Sequence, residues 1–300
     1  MDSKYDRGQE LADKRDADIG SHKTPVIQRN KDHLVILIHG INTRALWMDE
    51  VAPCLRSAGF SVAELSYGEF SIGRFLSFPF FRRKALARLR AGIDDAYSVY
   101  RYQNQERYPR LTSIISHSFG TWLVLTLLMR NPGIQLSRLI VCGSVIKEDY
   151  DLGRVLKQFS VPMLNEIGTK DYWPALAESV GWGYGSIGAT GMHHAAVTNR
   201  WHKNYRHSDF LTADFCRKFW IPFLIDVDNI VPGDKAQKLP FWITLITTLP
   251  LRWLILSVFG LTGVWLPNTG LYAIGGIDVF KTTSCYWAAK YFINYWISHC

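Results

Sequence analysis

Leu34 to Ile38 reads LVILI, a continuous apolar run of the kind found in strands buried on both faces. Shorter runs of similar character follow at Ser61 to Ser66, Thr112 to His117, Arg138 to Cys142 and Met163 to Ile167. Between them the period changes. Ala85 to Tyr100 places Leu86, Leu89, Ile93, Ala96 or Tyr97, and Tyr100 at three- and four-residue steps, which predicts one apolar helix face. Thr121 to Arg130 is apolar nearly all round and predicts a buried helix, stopped by Asn131-Pro132-Gly133. Alternation of buried strands with helices predicts an α/β fold with a mainly parallel sheet flanked by helices.

The pattern also divides the chain. Residues 1–31 are polar throughout, without an apolar stretch typical of a secretory signal, and are expected to form a disordered tail. Residues 32–231 carry the strand and helix pattern. Residues 232–300 form an apolar extension expected to be helical. Within it Phe241 to Leu266 bears a single charge, Arg252, and is long enough to cross a bilayer. Pro250 and Arg252 near its centre oppose a plain span. Two readings stay open: attachment to a membrane at residues 241–266, or packing on the core or on a second copy as an oligomer.

Composition narrows the partners. Of 300 residues, 48% are apolar and 14% aromatic, and the net charge is +8. The basic balance favours acidic surfaces, but no nucleic-acid motif accompanies it. The five cysteines form no CxxC pair, which fits free thiols in a reducing, cytoplasmic setting. His193, His194, His202 and His207 lack the i, i+4 pairing with Glu that a zincin helix requires, so no metal is expected. The cluster Arg82-Arg83-Lys84, with Arg88 and Arg90, follows the aromatic run Phe75 to Phe81. It reads either as a solvated helix face or as a contact for anionic headgroups at the site entrance. The Gly-rich stretch Gly181 to Gly191 has no phosphate-loop Lys-Ser/Thr after it and reads as a flexible loop near the site.

The chemistry centres on Ser116-His117-Ser118-Phe119-Gly120, between a predicted strand and a predicted helix. A serine on so tight a turn is held with Oγ away from the sheet, and small residues two before and two after let strand and helix approach. The helix beneath it favours developing negative charge. His39-Gly40 follows the first buried strand, where a loop can offer a backbone N–H to an oxyanion. The candidate donors are Ile41 or Asn42, with Phe119 after the serine.

On these residues the chain resembles the α/β-hydrolase family, over roughly Leu34 to Leu224. The resemblance rests on His39-Gly40, the Ser118 elbow, an Asp after a late strand and a later His. It implies an α/β-hydrolase fold and serine-hydrolase activity with Ser118 as nucleophile, Asp171 as acid and His207 as base, and no cofactor. Asp149 and Asp151 are rivals for Asp171. His193, His194 and His202 are rivals for His207, being expected within or just after the final strand. His117 is expected to be a structural neighbour, and Ser208 and Asp209 to cap a helix starting near Phe210.

The segment Val145 to Val161 is too short for a large cap domain. Only Pro25 to Gln28 could add an early strand, so the sheet is expected to be reduced. The expected reaction is cleavage of a carboxylic ester through an acyl-enzyme, lipid or another hydrophobic acyl ester being preferred. Acyl transfer or peptide hydrolysis at the same triad, and a non-catalytic membrane-associated module on the same fold, remain open alternatives.

Overall fold

The computed structural model describes residues 30–40, 46–67, 82–159, 163–249, 251 and 253. The polar tail expected over residues 1–31 lies almost wholly outside these, as do Pro25 to Gln28, Ile41, Asn42, Phe75 to Phe81 and residues 254–300.

Six strands form one all-parallel sheet: β1 (His33–Ile38), β2 (Ser61–Leu65), β3 (Leu111–His117), β4 (Arg138–Cys142), β5 (Met163–Gly168) and β6 (Val197–His202). Their spatial order is β2-β1-β3-β4-β5-β6. β1 is buried along its whole length, and its alternate side chains enter different cores. Leu34, Ile36 and Ile38 join Leu86, Leu89 and Ile93 of α2 (Arg82–Gln103) and Leu123 to Leu125 of α3 (Phe119–Arg130). Val35 and Leu37 join Trp47, Met48, Val51 and Leu55 of α1 (Leu46–Ser57), together with Phe215, Trp220 and Phe223. A strand buried on both faces thus explains the unbroken LVILI run.

The chain order steps outward from β1 to β2, then returns across β1 to β3. The reversal leaves a crevice at the C-terminal ends of β1 and β3, where open α/β sheets bind ligands. His39-Gly40 and Ser118 both lie there.

After β4 the chain makes two 3-10 turns, Leu152–Arg154 and Leu156–Gln158, in place of any cap domain. α4 (Trp173–Val180) and α5 (Ile187–Thr190) follow β5. The Gly-rich stretch before β6 is not a loose loop. Gly185 N–H donates to Val145 O at 3.0 Å and Gly188 N–H to Ser144 O at 2.9 Å. A Cβ on Gly188 would stand 2.1 Å from Ser144 N. These glycines let the segment lie directly on the chain leaving β4.

The helical segment after β6 also starts later than expected. Thr212, not Ser208 or Asp209, caps α6 (Ala213–Phe215), its hydroxyl accepting from Phe215 N–H at 3.2 Å. Asp209 instead accepts from Arg206 N–H. A π turn, Cys216–Trp220, continues into α7 (Ile221–Ile225). The strap beyond remains tied to β6 as far as Asp234, which pairs with Trp201 and accepts from Lys203 N–H at 2.7 Å. α8 (Phe241–Thr248) then packs on α4. Among the described residues no helix is long and apolar enough to cross a membrane.

Candidate active site

Ser118 sits between β3 and α3 with φ 53° and ψ −125°. That left-handed geometry costs a non-glycine residue about 1–3 kcal/mol and persists only where its surroundings hold it. Three contacts do so. Ser118 N–H donates to Cys142 O at 2.9 Å, anchoring the turn to the end of β4. Thr121 donates its hydroxyl proton to Ser118 O at 2.6 Å, and its Oγ1 accepts from Ser144 Oγ at 3.2 Å. Gly120 fits against β1 so closely that a Cβ would meet His39 O at 2.5 Å. Ser116, standing where the usual elbow has glycine, is buried and donates to Ile140 O at 3.4 Å. The Ser118 side chain makes no capping bond to its own helix, so Oγ is not tied down to the turn it starts.

Gly40 closes the crevice from β1. A Cβ there would stand 2.8 Å from Ser118 Cβ and 3.3 Å from Ser118 Oγ. His39 is buried and neutral: desolvation lowers its pKa, against an opposing pull from its bond to Gly40 O. Its Nδ1–H donates to Gly40 O at 2.6 Å while its ring stacks on Tyr67 at 4.4 Å. The Tyr67 hydroxyl also reaches Gly40 O, at 2.7 Å. His39 is therefore a clamp on the loop that approaches the serine. Of the three candidate oxyanion donors, Phe119 opens α3, while Ile41 and Asn42 lie outside the described residues.

Asp171 and His207 meet across the loops that follow β5 and β6. His207 Nδ1 lies 3.0 and 2.9 Å from the two Asp171 carboxylate oxygens. A carboxylate accepts, so Nδ1 carries a proton and donates it. Asp171 is fully buried and also accepts from Trp173 N–H at 3.2 Å.

Backbone stitching sets this meeting. Thr169 N–H donates to His202 O at 3.1 Å and Lys170 N–H to Tyr205 O at 2.9 Å. Asn204 N–H donates to Thr169 Oγ1 at 2.8 Å. Below it, Glu166 of β5 is buried and accepts from Arg200, His202 and Trp220. Burial alone would raise the Glu166 carboxyl, but Arg200 and His202 hold it below the usual range.

The rivals are engaged elsewhere. Asp149 and Asp151 are exposed, and Asp151 pairs with Arg154 at 2.9 Å. His193 pairs with Glu148 on the surface, and His194 accepts from Ala196 N–H. Both precede β6 rather than falling in or after it, and His202, closing that strand, is spent on Glu166.

Two further residues shape the site: Gly143, which the sequence does not signal, and His117, the structural neighbour expected within the elbow. Gly143, at φ +54°, directly follows β4 beneath Asp171 and His207: a Cβ would stand 2.8 Å from His207 Nδ1 and 3.1 Å from Asp171 Oδ2. His117 is buried, donates Nε2–H to His207 O at 2.8 Å and lies ring to ring with His207 at 4.5 Å. Desolvation first, and repulsion from His207 second, push its pKa well below 6.5. Ser118, His207 and Asp171 thus converge on residues 142 and 143: Ser118 through Cys142 O, His207 and Asp171 through their approach to Gly143.

No protein-family model matches the chain, and no curated protein sequence matches it. Solved structures do resemble it. A cold-adapted esterase from an Arctic intertidal metagenomic library is 18% identical, with 67% of this chain and 83% of that chain covered and a TM-score of 0.43. TT1662 from Thermus thermophilus is 13% identical, covering 65% and 89%, with a TM-score of 0.42. A monoacylglycerol lipase from Paleococcus ferrophilus is 13% identical, covering 64% and 93%, with a TM-score of 0.38. By its own all-parallel strand order and its strained strand–serine–helix turn, the chain has an α/β-hydrolase fold.

Proposed function

We propose that the chain is a serine hydrolase of carboxylic esters, with Ser118 as nucleophile, His207 as general base and Asp171 as the group that orients it. The observation that carries this is the Asp171–His207 pair on the loops after β5 and β6, at the same sheet edge as the strained Ser118 turn. An imidazole whose Nδ1 is fixed as donor by a buried carboxylate is held in the orientation a general base needs. His207 Nε2 takes the Ser118 proton as Oγ attacks the ester carbonyl, and Asp171 stabilises the imidazolium that results. Phe119 N–H, at the start of α3, supports the oxyanion together with the chain after Gly40. His207 then protonates the leaving alkoxide, and water reverses the sequence to release the acid.

Hydrophobic acyl esters are the preferred substrate class, and contact with a lipid surface accompanies it. Support comes from Phe241, Trp242, Leu245, Leu249 and Trp253, large apolar side chains left exposed on and after α8. That helix packs on α4, the element directly following Asp171, and Trp242 touches Tyr172 edge to face at 5.1 Å. Exposed Lys235 and Lys238 precede it and suit anionic headgroups.

Fluorophosphonate labelling tests the reading. Wild-type protein should label and Ser118→Ala should not, with labelling weakened in Asp171→Asn and His207→Ala. Absence of labelling in folded wild-type protein would overturn it.

A further inference from the structure

Arg82 opens α2, yet its side chain is only 1% exposed. It is held between two aromatic faces, its Cζ lying 4.1 Å from the Tyr184 ring centroid and 4.9 Å from that of Trp122. Tyr184 is also a hydrogen-bond partner. Among the described residues, however, Nε and Nη2 of Arg82 are buried without any acceptor. Donors of a desolvated guanidinium left unmet are destabilising, and the fork they form is the one that carboxylate and phosphate match with paired bonds.

Two further observations point to an anion. The first turn of α2 contains Arg82, Arg83 and Lys84 and no acidic residue. Cations at a helix N-terminus oppose its dipole, and an anion bound there would relieve them. The aromatic frame also leads to the nucleophile. Phe119, directly after Ser118, stacks on Trp122 at 5.7 Å and meets Tyr184 edge to face at 6.1 Å. Arg82 is thus linked through Trp122 and Tyr184 to the residue after Ser118, and its burial is not what a solvated helix face would give.

We infer that Arg82, framed by Trp122 and Tyr184, is the receptor for an anionic oxygen group, carboxylate or phosphate, carried by the ester substrate. The inference rests on Ser118 being the nucleophile. It narrows the substrate class to amphiphiles with an ester near one charged group, the aromatic frame excluding water from the ion pair.

The test compares p-nitrophenyl butyrate with the p-nitrophenyl hemi-ester of glutaric acid, which adds a terminal carboxylate. Wild-type protein should favour the hemi-ester at least tenfold in kcat/KM. Arg82→Met and Arg82→Lys should bring that ratio towards one, the lysine keeping the charge but not the fork. Inorganic phosphate and glutarate should raise the melting temperature of wild type, a readout that needs no turnover and no variant. Phosphate stabilising wild type without any hemi-ester preference would mean a free anion is bound and would overturn the assignment to substrate. Neither preference nor stabilisation would overturn the site altogether. If neither ester is hydrolysed but phosphate still stabilises wild type, the nucleophile reading fails while the anion site stands.

Discussion

His117 donates its Nε2–H to the main-chain carbonyl of His207 at 2.8 Å, so the residue before Ser118 holds the loop that carries His207. The ring contact at 4.5 Å fixes the distance between the two imidazoles. Because burial keeps His117 neutral well below pH 6.5, its part is geometric and not acid–base. His117→Phe should keep the ring contact and lose the donor, leaving a buried carbonyl unmet at about 1–3 kcal/mol. The expected result is a fall in kcat of about tenfold to a hundredfold, with the midpoint of the acid limb of the pH–rate profile unchanged. A shifted limb would show that His117 titrates in the working range.

Gly143 follows β4 where a Cβ would reach both His207 and Asp171, one residue after the carbonyl that holds Ser118 N–H. An alanine there would have to adopt φ +54° and would drive its Cβ against His207 and Asp171. Gly143→Ala should therefore cost about 1–3 kcal/mol of stability from backbone strain alone. Misplacement of the imidazole should lower kcat by about 10²-fold, as displacements near 1 Å do. Urea unfolding and steady-state kinetics on one preparation separate the two effects. Unchanged kcat would mean that His207 is not in the working geometry here.

The sheet was legible because β1, β3, β4 and β5 announce themselves as apolar runs, and the described strands match those runs to within a residue or two. β6 was harder: Val197 to His202 contains Thr198, Asn199 and Arg200, polar residues that a strand carries only when a buried partner awaits them. Arg200 has Glu166, and nothing in the spacing of those two residues shows that they pair. Ser118 could be named as a candidate from its strand–turn–helix setting, and Asp171 and His207 from the chain order of the resembling family; the parallel sheet puts all three on loops at one edge. His117 could be named as a neighbour of the elbow but not as the residue bonded to His207 O, and Gly143 could not be named at all, because both parts depend on distances between segments remote in sequence. Arg82 looked like one of several surface cations. Its burial follows from Trp122 and Tyr184 closing over it from α3 and the Gly-rich segment.

Glu166 should be the most sensitive position outside the site. It is fully buried and accepts from Arg200 Nε at 2.9 Å, His202 Nε2 at 2.8 Å and Trp220 Nε1 at 3.0 Å. Glu166→Gln removes the charge and strands the Arg200 guanidinium, at a cost of about 3–5 kcal/mol. Because His202 O also anchors Thr169 N–H, the loop bearing Asp171 should loosen as well. Removing both charges, as in Glu166→Gln with Arg200→Met, should recover part of the loss in urea unfolding at neutral pH. No recovery would show that the pair is not held as an ion pair against its desolvation.

His33 makes the fold sensitive to acid. It is buried at the start of β1, with Nε2 2.7 Å from Ser113 Oγ, and desolvation, aided by the charge of Arg138, lowers its pKa from 6.5 to about 3. In the unfolded chain the same imidazole takes up a proton near its ordinary pKa of 6.5. Between these values the unfolded state binds more protons, so stability rises with pH across that window. The contribution is complete above pH 6.5 and is lost as pH falls towards 3, reaching about 2 kcal/mol by pH 5. His117, also held neutral, adds in the same direction. Urea midpoints at pH 7 and pH 5 should differ less in His33→Asn than in wild type, even though the variant is weaker at pH 7 through lost packing against Phe60. An equal drop in both proteins would mean that His33 is charged in the folded state at pH 5.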